Sequence, residues 1–92
     1  MIKQKQYDLS TTVDLMLSDD YKERFKAEYL QLKIRHRKLC KILDDYVQAK
    51  LKFELTTDWG LLRKQEQLMD ELLMVLRVRA KLEGIDLDEY FN

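Results

Sequence analysis

The stretch that decides the fold is residues 61–84, LLRKQEQLMDELLMVLRVRAKLEG. At about 100° per residue, its apolar side chains cover an arc of roughly 220° of a helix surface. One neighbouring helix covers only part of such an arc, and soluble monomers generally avoid large exposed apolar patches. The sequence therefore predicts a helix that packs against a second helix and also against other copies of the chain. The apolar residues of the arc are Leu61, Leu62, Leu68, Met69, Leu72, Leu73, Val75, Leu76, Val78 and Leu82.

Outward from this stretch, cap residues predict where the helix begins and ends. Thr56 or Thr57 is suited to cap it, with the carboxylate of Asp58 in the first turn, and Gly84 is suited to stop it. We therefore predict a helix over residues 58–83 and a tail over 84–92. Before it, residues 51–57 alternate apolar and polar side chains, which predicts an extended connector.

A first long helix is predicted over residues 19–50. Ser18 is suited to cap it, and its apolar residues recur every seven positions. Residues 1–17 form a mixed segment, in which Val13 to Leu17 could make a short helix. The seven-residue repeat consists of Phe25, Leu32, Leu39 and Tyr46, and Tyr21, Leu43 and Val47 widen it.

The composition agrees with an all-α fold. The 92 residues include no proline and only two glycines, Gly60 and Gly84, and these two residue types are the main helix breakers. We predict one domain over residues 1–92, a long antiparallel two-helix hairpin with a short N-terminal helix, assembled into a homo-oligomer. Oligomerisation would also help a chain that is too short to build a large core alone.

Charge and cysteine usage narrow the function classes. The 17 basic and 17 acidic side chains balance, whereas a nonspecific DNA or RNA binder is expected to be basic. Residues 1–7 lack the apolar segment of a signal peptide, and no apolar run is long enough to span a membrane. Cys40 is the single cysteine, so no intramolecular disulfide forms. These features predict a cytoplasmic protein that binds neither nucleic acid nor membrane.

Catalysis has little support in the sequence. His36 is the only histidine and lies at the edge of the apolar stripe, where a structural role is favoured over a general base. Basic neighbours could lower the pKa of the Cys40 thiol, but a small packed side chain is the better interpretation. No phosphate-binding glycine loop and no metal-ligand spacing are present. We predict no enzyme, no cofactor and no metal site.

Basic side chains and one aromatic ring share a face of the first helix. Tyr29 lies between Lys26 and Lys33 there, and an aromatic ring beside cations suits a nucleotide, whose base stacks while its phosphates bind the cations. A solvated face is the simpler alternative, and on this pattern alone it is favoured. The other basic residues of this face are Lys22, Arg37 and Lys41.

Two polar residues interrupt the apolar arc of the second helix. Gln65 and Arg79 project into its middle, where arginine is rare unless it is paired. They either meet partners across a subunit interface or line a polar ligand pocket. Arg77, in contrast, is predicted to face solvent.

Two stretches resemble a family of small phage and prophage proteins. These are SDDYKERFKAEYLQLKIR, residues 18–35, and LLRKQEQLMDELLMVLRVRAKLEGIDL, residues 61–87. The resemblance is to the helical hairpin-domain family that includes relatives of a crAss-like phage protein and sponges that inhibit the CBASS and Thoeris defence systems. Leu72 departs from the family pattern, in which a tyrosine is expected. The shared features of the second stretch are Gln65, Met69, Leu76, Arg79, Ala80, Glu83 and Gly84.

The resemblance implies a helical oligomer, commonly a hexamer, that sequesters signalling nucleotides without cleaving them. The implied ligand is a cyclic di- or trinucleotide or a cyclic ADP-ribose-type molecule, bound between subunits in the cytoplasm of an infected or lysogenic bacterium. The alternative is an oligomeric helical module that docks on a host or phage protein. The ligand-binding residues implied by the resemblance are Tyr21, Arg24, Tyr29, Arg35 and Arg79, with Lys22 and Lys26 as secondary contacts.

Overall fold

The structure, a computed structural model, describes residues 7–90 and is helical, with no strand in that range. A 3₁₀ turn at Leu9–Thr11 leads into the short helix α1, Thr12–Met16. The long helices are α2, Tyr21–Val47, and α3, Trp59–Glu83, and a second 3₁₀ turn follows at Asp88–Tyr90. The ends of the predicted N-terminal segment and tail, residues 1–6 and 91–92, lie outside the described residues.

Side-chain caps set the ends of the long helices. Asp20, rather than Ser18, caps α2, and its carboxylate accepts a hydrogen bond from the amide of Lys22 at 2.9 Å. Asp58, rather than a threonine, caps α3 by accepting from the amide of Leu61 at 3.1 Å. An aspartate is as good a cap as serine or threonine, so Asp58, which was predicted for the first turn of α3, caps that helix instead. Gly84 ends α3 in the left-handed conformation, with φ of 72°.

The two long helices run antiparallel. Tyr21 near the start of α2 bonds to Glu83 at the end of α3, and His36 in mid-helix bonds to Glu66. Trp59, the first residue of α3, lies seven residues before Glu66, the partner of His36. Because the helices are antiparallel, the start of α3 is level with the residue seven positions after His36, which is Leu43. The last turn of α2 extends beyond it, so Tyr46 and Val47 are exposed, and their prediction as part of the apolar stripe was wrong.

The core lies between α2 and α3 and is closed by Tyr7 and Leu9 on one side of the sequence and by residues 85–90 on the other. From α3 it takes Leu73, Leu76 and Ala80. Because α1 packs on α2 and residues 85–90 add side chains to the same core, α2 buries more of its surface than its heptad repeat alone predicts. The other buried members of the core are Phe25, Tyr29, Leu30, Ile34, Ile85, Leu87 and Tyr90.

Only part of the apolar arc of α3 is used within the chain. Five of its exposed apolar residues, together with Gln65 and Arg79, recur at alternating spacings of four and three, a heptad row of the kind that pairs helices in coiled coils; the exposed Met74 and Val78 lie outside this row. We call this exposed row the seam; both polar interruptions of the arc, Gln65 and Arg79, fall within it. The seam consists of Leu61, Gln65, Leu68, Leu72, Val75, Arg79 and Leu82.

Among residues 7–90, no helix combines the length and the apolar character that a membrane span requires.

Candidate functional site

Tyr21 and Arg79, predicted as ligand contacts from distant parts of the sequence, meet where α2 begins and α3 ends. The guanidinium of Arg79 donates from Nη2 to the Tyr21 hydroxyl at 2.7 Å. The hydroxyl donates to Glu83 Oε1 at 2.8 Å, and Arg79 Nε donates to Glu83 Oε2 at 3.0 Å. Lys22 reaches the carbonyl of Gly84 with its Nζ at 3.3 Å. We call Tyr21, Lys22, Arg79 and Glu83 the end cluster.

Electrostatics within the end cluster favour the charged forms of Arg79 and Glu83. The hydrogen bond from Tyr21, followed by that from Arg79, lowers the pKa of Glu83. The same bond to Glu83 raises the pKa of Tyr21, so its hydroxyl stays protonated and remains a donor. The Arg79 guanidinium also lies 5.0 Å from the centre of the Phe25 ring, within the range of a cation–π contact. Glu83 therefore already accepts the hydrogen bonds from Arg79 and Tyr21 that an anionic ligand would accept in its place.

The remaining predicted contacts are spread along α2. Arg24 donates from Nη1 to the carbonyl of Ser18 at 2.8 Å, and Lys26 is half-buried on the same part of the helix. Arg35 lies fourteen residues beyond Tyr21, or about 21 Å along the helix. It lines a groove with Lys38 and Gln65 instead. The structure thus brings together Tyr21, Lys22 and Arg79 and leaves Arg35 apart from them.

Tyr29 is buried rather than placed on an open basic face. Its side chain has 0% exposure, and its hydroxyl accepts a hydrogen bond from Arg77 Nε at 2.9 Å. The charged ends of Lys33 and Arg77 lie 6.0 and 5.8 Å from the centre of its ring. Within one chain, the ring therefore packs in the core and offers no free face for a base to stack on.

A second basic region opens beside Tyr29. A pocket of about 460 Å³ lies between α2 and α3, which is within the size range of ligand sites. The sequence places Lys33 and Arg37 on one face of α2 and predicts that Arg77 faces solvent. Arg77 is indeed exposed, although its Nε also bonds to the hydroxyl of Tyr29. The i, i+4 spacing of Lys33 and Arg37 is the sequence signal that places these two side chains next to each other on α2. We call this the basic pocket; it is lined by Lys33, His36, Arg37, Asp70, Leu73 and Arg77.

His36, Cys40 and Glu66 bring one potential metal-ligand atom each to within 4.8 Å of one another. His36 Nε2 lies 2.8 Å from Glu66 Oε2, and the other carboxylate oxygen of Glu66 pairs with Arg63. Burial, followed by the charges of Asp44 and Asp70, raises the pKa of the Cys40 thiol, contrary to the lowering that its basic neighbours suggested. These contacts are described by their geometry as a hydrogen bond between His36 and Glu66 across the two helices, with the Cys40 sulfur 3.6 Å from His36 Nε2.

Comparison with known proteins adds one finding. A protein-family model described as Sequestin matches residues 19–82, which includes all of α2 and all of α3 except Glu83 and excludes α1. No curated protein and no solved structure matched the chain.

Proposed function

The chain belongs to the Sequestin family, and from this premise we propose that it binds a small phosphorylated ligand and retains it unchanged. The family name suggests sequestration, which is a binding role rather than a catalytic one. The ligand we propose is a cyclic-nucleotide immune signal: a cyclic di- or trinucleotide or a cyclic ADP-ribose-type molecule. The protein would then act as a phage anti-defence sponge against CBASS or Thoeris signalling in the cytoplasm of the host.

The observation that carries this proposal is the meeting of Tyr21 and Arg79 with Lys22 at one end of the hairpin. The ring of Tyr21 is about half exposed and is available to stack on a base. A guanidinium and an ammonium beside it suit phosphate oxygens. A phosphate would replace the carboxylate of Glu83 on Arg79, so ligand binding would exchange one anion for another.

We further propose that the site is completed by a second copy of the chain. Arg79 belongs to both the end cluster and the seam, so a subunit that covers the seam also borders the cluster. Gln65 and Arg79 each lie seven residues from Leu72. A two-fold axis at Leu72 would therefore bring Gln65 of one copy against Arg79 of the other, and the two polar interruptions would coincide. A hexamer could be built from three such pairs.

Native mass spectrometry with a panel of cyclic di- and trinucleotides and cyclic ADP-ribose isomers tests the proposal. We expect a closed oligomer that gains discrete ligand masses, with a Kd of about 1 µM or lower. Tyr21→Ala and Arg79→Ala should abolish binding while the oligomer persists. Tyr46→Ala is the matched control for the first, because Tyr46 is 49% exposed against 48% for Tyr21 and lies at the other end of α2.

Glu83→Gln gives a sharper test, because the two interpretations of Arg79 predict different effects on ligand affinity. If Arg79 binds a ligand phosphate, removing the competing carboxylate charge should tighten binding. If the end cluster serves only to hold the helix ends together, the same change should leave affinity unaltered and lower stability. Unchanged affinity in Tyr21→Ala, Arg79→Ala and Glu83→Gln would reject the site assignment.

The exposed apolar residues of the seam also support the alternative, an oligomeric module that docks on a host or phage protein. Under this alternative, polar substitutions in the seam abolish capture of the protein partner, and no nucleotide in the panel changes the melting temperature. Under the sponge proposal, a nucleotide at about a hundred times its Kd stabilises the fold by about 2.7 kcal/mol, which is a readily measured rise.

A further inference from the structure

Three side chains with metal-binding atoms meet across the middle of the hairpin. His36 and Cys40 lie one turn apart on α2, and Glu66 reaches them from α3. One nitrogen, one sulfur and one carboxylate oxygen of these residues lie within 4.8 Å of one another. Imidazole, thiolate and carboxylate are the groups that bind zinc in proteins. The packing of the two helices therefore collects a ligand set that neither helix carries alone.

The distances within this group are close to those around a bound metal ion. With zinc bonds of about 2.3 Å to sulfur and about 2.1 Å to nitrogen, tetrahedral coordination separates the two ligand atoms by roughly 3.6 Å. The Cys40 sulfur lies 3.6 Å from His36 Nε2. A nitrogen and a carboxylate oxygen on the same ion are separated by roughly 3.4 Å. His36 Nε2 and Glu66 Oε2 lie 2.8 Å apart, so a small opening of this one contact would admit the ion.

The present partners of these groups are compatible with a metal ion. His36 and Glu66 bond to each other, and an ion between them would replace their shared proton and bind both. The Cys40 thiol contacts His36, and on coordination it would release its proton to solvent. The second carboxylate oxygen of Glu66 pairs with Arg63. Such an outer contact holds a ligating carboxylate in position.

The surrounding charges also permit a cation. Zn²⁺ bound to one carboxylate and one thiolate carries no net charge, which limits repulsion from the basic pocket that His36 also lines. After burial, the charges of Asp44 and Asp70 are the causes that raise the pKa of the Cys40 thiol. The same two negative charges favour a cation beside the sulfur. The side chains of His36 and Glu66 are 16% and 12% exposed, so an ion can reach them from solvent.

We propose that His36 Nε2, Cys40 Sγ and Glu66 Oε2 form an interhelical binding site for a transition-metal ion of the Zn²⁺ class. The fourth tetrahedral position is left to water. The ion ties α2 to α3 about 22 Å along α2 from Tyr21, so the site is separate from the end cluster and does not depend on a nucleotide ligand. The sequence-based prediction of no metal site considered spacing along the chain, whereas Glu66 is 30 residues from His36.

Titration of Co²⁺ into the metal-free full chain, followed by absorption spectroscopy, tests the proposal because the spectrum of Co²⁺ reports its ligands. A thiolate ligand gives a charge-transfer band in the near ultraviolet, and tetrahedral coordination gives intense visible bands. We expect both, with a Kd of about 10 µM or lower and displacement of Co²⁺ by Zn²⁺. Cys40→Ser should remove the charge-transfer band, and His36→Gln and Glu66→Gln should each weaken binding at least about tenfold.

Glu66→Gln is the most informative variant, because glutamine can still accept a hydrogen bond from His36 across the helices. Glu71→Gln removes an exposed carboxylate from the same helix and is the matched control; it and Arg79→Ala should bind Co²⁺ like the wild type. Wild-type affinity in Glu66→Gln would overturn the interhelical site, and so would equal weakening in Glu71→Gln. A wild-type chain without the charge-transfer band at about 100 µM Co²⁺, or a band that persists in Cys40→Ser, would reject the proposal outright.

Discussion

Tyr29 places a polar hydroxyl inside the core, where its partner is Arg77 Nε at 2.9 Å. Tyr29→Phe keeps the ring but removes the hydroxyl, so Arg77 Nε loses this hydrogen-bond acceptor. We expect the free energy of unfolding to fall by about 1–2 kcal/mol, as measured by urea denaturation. Tyr46→Phe, at the exposed end of α2, is the control and should cause no change. Equal stability of the two variants would show that solvent replaces the Tyr29 acceptor.

Lys33 should give the stability a distinctive pH dependence. Its pKa is lowered from 10.5 to about 8 in the folded chain, so the unfolded chain binds more protons between these values. The penalty of burying its charge is therefore full below pH 8 and disappears as the pH rises towards 10.5. The groups facing it are His36 and Arg37 from α2 and Asp70 and Arg77 from α3.

Lys33→Met should accordingly raise the free energy of unfolding at pH 7 by roughly 1–3 kcal/mol. The advantage over the wild-type chain should shrink by pH 10, which urea denaturation at the two pH values measures. Lys41→Met, on an exposed position of the same helix, should show no such convergence. A variant that is less stable than the wild type at pH 7 would mean that the ammonium is stabilised where it lies.

Individual site residues were only partly predictable from the sequence. Tyr21 and Arg79 were chosen separately, and the antiparallel arrangement brings them within hydrogen-bond distance. Tyr29 was placed on an open basic face because the periodicity of one helix does not show which other segments cover it. The pairing of Arg77 with Tyr29 depends on the rotation of α3 about its own axis, and the pattern of α3 alone leaves that rotation undefined.

At the scale of elements, α3 carries two parallel heptad rows, offset by one residue. The inner row packs on α2, and the outer row is the seam. The width of the apolar arc follows directly from the sequence, whereas the choice of the inner row follows from packing with α2. Both rows have apolar residues at similar density, so the sequence of α3 alone does not distinguish them. The inner row is Leu62, Glu66, Met69, Leu73, Leu76 and Ala80.

Gly84 ends α3 in a backbone conformation that favours glycine. Its φ of 72° is unfavourable for a side chain, although an added Cβ would meet only Lys22 Nζ, at 3.8 Å. The cost of Gly84→Ala is therefore one of backbone conformation, and we expect about 1–2 kcal/mol of destabilisation in urea denaturation. Gly84→Asn should lose less, because asparagine tolerates this region. Equal losses in the two variants would point to the side-chain contact instead.

At the scale of the whole molecule, the seam predicts the state of association. Leu72→Glu places a carboxylate at the centre of the seam, where a partner subunit would bury it, so we expect dissociation to a folded monomer. Met74→Glu is the control, because Met74 is also exposed but lies outside the seam. Analytical ultracentrifugation measures the mass, and circular dichroism confirms retained helix. A wild-type chain that is monomeric at about 100 µM would contradict the oligomer proposal.

The all-helical class and the two long helices were predictable because helix breakers are nearly absent and caps flank both apolar stretches. The sequence of 92 residues does not determine where its short elements pack. The helix α1 is one turn long, and its place on α2 depends on contacts such as that of Gln31 Nε2 with the hydroxyl of Thr12 at 2.8 Å. Such contacts have no periodic signal.

The antiparallel arrangement also orders the contacts of the hairpin by sequence separation. His36 and Glu66 are 30 residues apart, whereas Tyr21 and Glu83 are 62 apart. Loop-closure entropy rises with separation, so we expect pairing of the helices to begin near the connector and to reach the end cluster last. The same end should open first in native-state hydrogen exchange. A ligand bound there would slow amide exchange in the first turn of α2 and the last turn of α3, where the two helices would otherwise separate first.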